Sequence, residues 1–254
     1  MASLPGAGWK LPRWERILPS VNPFERFGLE HAATLLLLTA IAISLSWLLR
    51  RARPGSTRVS TAVRLGLAAL LSGGLVFALV DALPIRRLDW LDVLPLHLCD
   101  FAVLIAVGAL LTRRPLAVEI LYFWGLSGTL IAMLTPDVAR GFPDSRCVSF
   151  FALHGGVAVS AVVLVFGFGI RPRPGAHVRV FWLTNAYAVI AAVIDVVAHE
   201  NYLYLRAKPS QPSILDAMGP WPWYILAADV LAFVLFRALM IPFLNHRAAG
   251  AHPN

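Results

Sequence analysis

Residues 31–49 read HAATLLLLTAIAISLSWLL, and Arg50-Arg51-Ala52-Arg53 follows at once. A run of this length without a formal charge meets the roughly 20 residues that a helix needs to cross a hydrocarbon core. Six further runs, at about 62–80, 94–111, 116–134, 149–170, 180–198 and 222–244, bring the set to seven, each of 18 to 23 residues. The expected fold is therefore all-α: a polytopic transmembrane helical bundle of about seven spans over 30–245. An N-terminal tail at the membrane interface (1–29) precedes it and a short C-terminal tail (246–254) follows. In the runs holding Glu119, Asp195 and Asp229 a charge interrupts the hydropathy.

Composition points the same way. The chain is 58% hydrophobic and 14% charged, against roughly 45–50% and about 25% for a soluble domain. The net charge of +8 lies in short basic runs between apolar segments, which is how topology signals and contacts with anionic lipid are written. No basic face recurs at a groove-reading spacing, so nucleic acid is not an expected partner. The two cysteines, Cys99 and Cys147, make no disulfide framework and no paired-cysteine zinc site. Lys10, Arg13, Arg16 and Arg26 stand among prolines and tryptophans without an apolar core, unlike a cleavable signal peptide.

The connections after spans one, three and five carry Arg50, Arg51, Arg53, Arg58, Arg113, Arg114, Arg171, Arg173 and Arg179 and no acid. Those after spans two, four and six carry Arg86, Arg87, Arg140, Arg146, Arg206 and Lys208 among seven acids. Lys and Arg decide orientation, nine against six, so the expectation is N-terminus outside and C-terminus in the cytoplasm of a cell-membrane protein. The basic N-terminal tail argues the other way.

Whichever way the chain faces, the unusual polar residues gather in one leaflet. His31 opens span one; His97, Cys99 and Asp100 fall in the first two turns of span three. Asp137 closes span four, and His154 lies just inside span five. Asn201 and Tyr202 follow span six, and Trp223 begins span seven. At 1.5 Å per residue, Cys99 and His154 should each sit roughly 7–8 Å inside their helices, level with one another. Such asymmetry suggests a polar cavity toward one face of the bundle.

The same residues carry a resemblance. Pro95-Leu96-His97-Leu98-Cys99, Thr135-Pro136-Asp137, Phe150-Phe151-Ala152-Leu153-His154-Gly155, Asn201-Tyr202-Leu203-Tyr204-Leu205 with Lys208-Pro209, and Gly219-Pro220-Trp221-Pro222-Trp223-Tyr224 resemble the YwaF-like family of bacterial membrane proteins. That family is similar to the eukaryotic transmembrane protein 164 group of phospholipid acyltransferases. The resemblance runs from about His31 to Phe243. It implies membrane phospholipids as partners, Cys99 as the essential cysteine and His154 as the essential histidine.

A thiolate attacks an ester carbonyl when a histidine takes its proton, so Cys99 and His154 form a candidate pair across two helices. His97 lies about 200° round the helix from Cys99 and is better placed to shape the polar end, with Asp100 three residues on to orient it. Asn201 is a candidate for steadying an oxyanion. The plainer alternatives stand beside these. Cys99 is a small packing residue, His154 is bonded to a backbone carbonyl, and Asp137 is a turn residue after Pro136. Trp223 belongs to an interfacial aromatic belt, or lines a lipid entrance. No two histidines stand four apart in the pattern that puts two metal ligands on one turn, and no phosphate-binding glycine loop occurs, so no metal or soluble cofactor is expected. Two other readings remain: a proton-coupled transporter using Asp195, Asp229 and Glu119, or a membrane protein without chemistry. The absence of an internal repeat counts against the transporter.

Overall fold

The computed structural model describes residues 23–52, 57–82, 95–136, 138–209 and 213–244. Among these, helices α1 (Leu29–Arg51) and α2 (Thr57–Ala82) are followed by α3 (Leu98–Thr112). Span four is two helices, α4 (Pro115–Leu126) and α5 (Gly128–Leu134). Then come α6 (Ser145–Val162), α7 (Ala176–Ala198) and α8 (Trp223–Leu239). Six segments, counting α4 and α5 as one, have the length and hydropathy to cross a bilayer. The expected architecture of seven apolar segments in an all-helical bundle therefore holds, with one qualification. Pro95 disfavours helix at the residue before it and donates no N–H, and the chain is still extended at His97. So α3 has only 15 residues, about 22 Å at the usual rise.

The core is built on α6, which packs against α1, α2, α3, α4 and α5. Its buried face includes Phe151, Leu153, Gly155, Gly156, Val157 and Ala161. The paired glycines set the spacing. A Cβ at Gly155 would stand 2.6 Å from both Leu38 methyls of α1, and one at Gly156 would stand 2.8 Å from a Leu71 methyl of α2. Side-chain-free positions let backbones approach in this way, which matters where lipid supplies no hydrophobic drive. Asp144 caps the helix by accepting from the Arg146 N–H at 3.0 Å.

Beyond Val162 the same helix loosens into a π-turn, Val163–Gly167. Such a turn displaces carbonyls from the regular ladder, and Arg50 of α1 donates to the carbonyl of Phe166 at 2.6 Å. Arg64 of α2 closes the end of α3 by donating to the carbonyls of Leu110 and Leu111. These arginines serve as helix caps. Outside this core, α1, α2, α7 and α8 present Leu36, Leu37, Phe77, Val189, Val197 and Val230, all more than half exposed. In water that surface would be a heavy liability; in a bilayer it is the lipid-facing side.

The two ends of the bundle differ. At one end the segment before α1 meets the loop after α5, where Phe24 N–H donates to Ala139 at 3.3 Å, and Arg146 lies 3.7 Å from Asp81 of α2. At the other, Glu119 of α4 is buried and accepts from Arg173 at 2.8 Å and Arg179 at 3.1 Å. Hydrogen bonding to that carboxylate raises the exposed Arg173 guanidinium above its ordinary pKa.

Candidate functional site

Span four breaks at Ser127, whose backbone (φ −114°, ψ −78°) departs from helical values. The Ser127 hydroxyl turns back onto the carbonyl of Phe123, a local bond that competes with the helix ladder and bends it. A glycine follows, and Leu98 of α3 packs 3.3 Å from where a Gly128 Cβ would be. Beside this break lies a cavity of about 540 Å³, within the roughly 300–1,000 Å³ of small-molecule sites. His97, Cys99 and Asp100 line it from the start of α3, and His154 with Phe150 from α6. It reaches down to Trp124, Thr184 and Phe236. The Trp124 indole N–H, needing an acceptor in an apolar wall, donates to Thr184 Oγ1 at 2.8 Å.

Cys99 and His154 therefore border one space. Their depths differ from the sequence expectation. The helix of Cys99 begins at Leu98, so the thiol stands in its first turn. The helix of His154 begins earlier, at Ser145, and the imidazole lies nine residues further, about 14 Å along. The late start of one helix and the early start of the other follow from Pro95 and from the Asp144 cap. The His154 Nδ1–H donates to the Phe150 carbonyl at 2.9 Å, and its ring stacks on Phe150 with centroids 4.1 Å apart. Its Nε2 is thereby the acceptor. Cys99 is set by the strand-like entry to α3: Tyr187 of α7 donates its hydroxyl to the Leu96 carbonyl at 2.8 Å. Both cysteines are free, and Cys147 is buried.

His97 packs its ring against Tyr202 (5.4 Å) and Tyr204 (5.7 Å). Those tyrosines belong to a tight return after α7, in which His199, Leu203 and Tyr204 all take left-handed backbone angles, φ 56–59°. Non-glycine residues rarely adopt these without compensating contacts. Asp195, buried, supplies one by accepting from the Tyr202 N–H at 2.7 Å. Asn201 supplies more: its Oδ1 accepts from Arg206 and Ala207, and its Nδ2 donates to Ala207. The result puts Leu203 and Tyr204 into the cavity wall, while Tyr202 is buried behind it and Asn201 is occupied in shaping the return.

His31 is fully buried, away from the cavity lining. Phe27 N–H donates to its Nδ1 at 3.0 Å, so Nε2 carries the proton and donates to the Met133 carbonyl at 2.8 Å. It ties α1 to the end of α5. Trp223 is exposed on the outer side of α8, and Asp137 lies outside the described residues. The carboxylates of the transporter reading have structural partners: Glu119 is held by two arginines, and Asp229 accepts from Asn185 at 3.0 Å. Among the described residues no group of three His, Cys, Asp or Glu side chains is arranged to hold a metal ion. Arg26, Trp124, Thr184 and Tyr204 are cavity residues that the sequence reading did not single out. For Trp124 the available signal was an indole donor in mid-span, which requires a partner.

An all-helical bundle with a lipid-compatible surface and an internal cavity polar at one end defines a polytopic integral membrane protein. The chain belongs to the TMEM164 family, whose model matches residues 26–240. It is similar to an uncharacterized protein of Treponema pallidum (strain Nichols), 35% identical over an alignment of 240 residues that covers 89% of this chain and 92% of the relative. No solved structure matches it.

Proposed function

We propose that this protein is a lipid acyltransferase or acyl hydrolase in which Cys99 is the nucleophile and His154 the general base and acid. The observation carrying this reading is that the two side chains border one cavity while the Nδ1 bond to Phe150 orients His154 with Nε2 as proton acceptor. The resemblance to the YwaF-like proteins and their acyltransferase relatives supports it. Nε2 takes the thiol proton as sulfur adds to the ester carbonyl of a phospholipid. Collapse breaks the carbon–oxygen bond, and the imidazolium returns the proton to the departing lysolipid oxygen. The acyl group is then a thioester on Cys99. A second hydroxyl, from an acceptor lipid or from water, gives its proton to Nε2 and attacks that thioester; sulfur departs and is reprotonated. The largely apolar lower wall, with Leu231, Leu235 and Phe236, suits an acyl chain, and His97 and Asp100 shape the polar end.

The arginine-rich, acid-poor end is placed in the cytoplasm, with the cavity toward the outer leaflet of the cell membrane, following the Lys/Arg bias. The test is incubation of purified protein with labelled phospholipids, followed by mass spectrometry of the lipids and of Cys99. The expected result is an acyl adduct on Cys99 and transferred or released acyl chains. Cys99→Ser and His154→Ala should each lower turnover by at least about a hundredfold, the usual scale of an acid–base or nucleophile contribution. Unchanged turnover in either folded variant overturns the pair.

A further inference from the structure

At the opposite end of the bundle, between the start of α7 and the end of α8, lies a second concavity of about 310 Å³. Its wall has two characters. Arg171 and Arg237 bring positive charge and hydrogen-bond donors and His177 brings an imidazole, whereas Met240, Phe243 and Leu244 bring apolar surface. Arg171 and Arg237 have no carboxylate partner among the described residues. The only acid described at this end, Glu119, is already shared by Arg173 and Arg179. The buried Nδ1 of His177 has no hydrogen-bond partner. His177 is also the second residue of α7, so the positive end of a 23-residue helix faces the same region.

Two exposed guanidiniums beside a helix N-terminus are a receptor for a phosphate group, since arginine donates to phosphate in a two-pronged, charge-assisted geometry. The apolar half of the wall, continuing from the last turn of a membrane span, says what else the phosphate carries. We propose that this concavity binds the phosphate headgroup of an anionic membrane phospholipid, with the acyl chains running along α8 beside Phe243 and Leu244. It is separate from the Cys99 cavity and does not depend on the chemistry there. Its role is to hold α7 and α8 together at this end, where Arg171, Pro172 and Pro174 of the loop before α7 line the same concavity.

The full chain in lipid nanodiscs or mild detergent is titrated with phosphatidic acid, with zwitterionic phosphatidylcholine and with inorganic phosphate, and bound species are counted by native mass spectrometry. Phosphatidic acid should bind saturably and phosphatidylcholine at least tenfold more weakly. Inorganic phosphate at millimolar concentration should displace little of the lipid. The double variant Arg171→Gln/Arg237→Gln should lose at least tenfold in affinity for phosphatidic acid and lose the thermal stabilisation that lipid confers. Arg58→Gln/Arg114→Gln, which removes equal charge from this end away from the concavity, should change binding less than twofold. Arg171→Lys/Arg237→Lys should keep part of the affinity and guards against misfolding in the glutamine pair. Equal losses in the two glutamine pairs would reduce the effect to surface charge and overturn the site. Full displacement by inorganic phosphate would overturn its assignment to lipid.

Discussion

His31 and His154 show how differently two intramembrane histidines are used. His31 spends both ring nitrogens on backbone groups of segments far apart in sequence, Phe27 and Met133. His154 spends one on its own helix. Each orphaned buried polar group costs about 1–3 kcal/mol. His31→Ala is therefore expected to lower stability by about 2–4 kcal/mol, read as a fall in the thermal midpoint in detergent, and His154→Ala by less. Tyr187→Phe removes the hydroxyl that holds Leu96 and should cost about 1 kcal/mol. Under the proposed mechanism it should also lower turnover, because the entry to α3 positions Cys99; full activity in that variant would separate the loop from the chemistry. The sequence marked Cys99, His154, His97 and Asp100 as residues of one leaflet, and all four line one cavity, although Cys99 and His154 stand at different depths in their helices. It did not distinguish them from His31 and Asn201, because depth fixes a residue's height in a helix but not the direction it faces. That direction depends on which helices pack together.

The elements were legible wherever hydropathy alone decides them. Seven apolar segments are read and found, and the ends of α1, α6 and α7 differ from expectation by a few residues, as capping and arginine placement allow. The break at Ser127 and the π-turn at Val163 were not legible. A serine followed by glycine is tolerated inside a helix, and it takes the Ser127 bond back to Phe123 together with Leu98 packing against Gly128 to show why the chain bends there. The Gly155-Gly156 pair seats α1 and α2 on α6. Gly155→Val should force Leu38 aside and cost about 1–3 kcal/mol, the range for overpacking a filled core. Leu38→Ala in the same chain should recover part of that loss, a coupling that a double-mutant cycle measures directly. Strict additivity of the two changes would place the strain elsewhere.

The molecule as a whole is a bundle with unlike ends, and its orientation can be tested without reference to chemistry. A reporter fused at Asn254 should read cytoplasmic, and one inserted near Pro143 external. Reversed readings would turn the bundle over with its cavities unchanged, while equal readings would remove a crossing. The net charge of the two ends was legible from loops alone, but the pinning of Glu119 by Arg173 and Arg179 was not, since its partners lie 54 and 60 residues away. Helix α8 carries a consequence of its own. Ala228, Leu231, Ala232, Leu235 and Phe236 line the larger cavity, and Leu226, Val230, Phe233 and Val234 on its other side face out of the bundle. The partition between that cavity and the bilayer is thus a single helix thick. A lipid bound there is in exchange with a two-dimensional solvent, so occupancy is governed by its mole fraction among neighbouring lipids. Diluting vesicles with buffer should leave the rate per protein unchanged, whereas diluting the substrate with an inert lipid at constant volume should lower it in proportion.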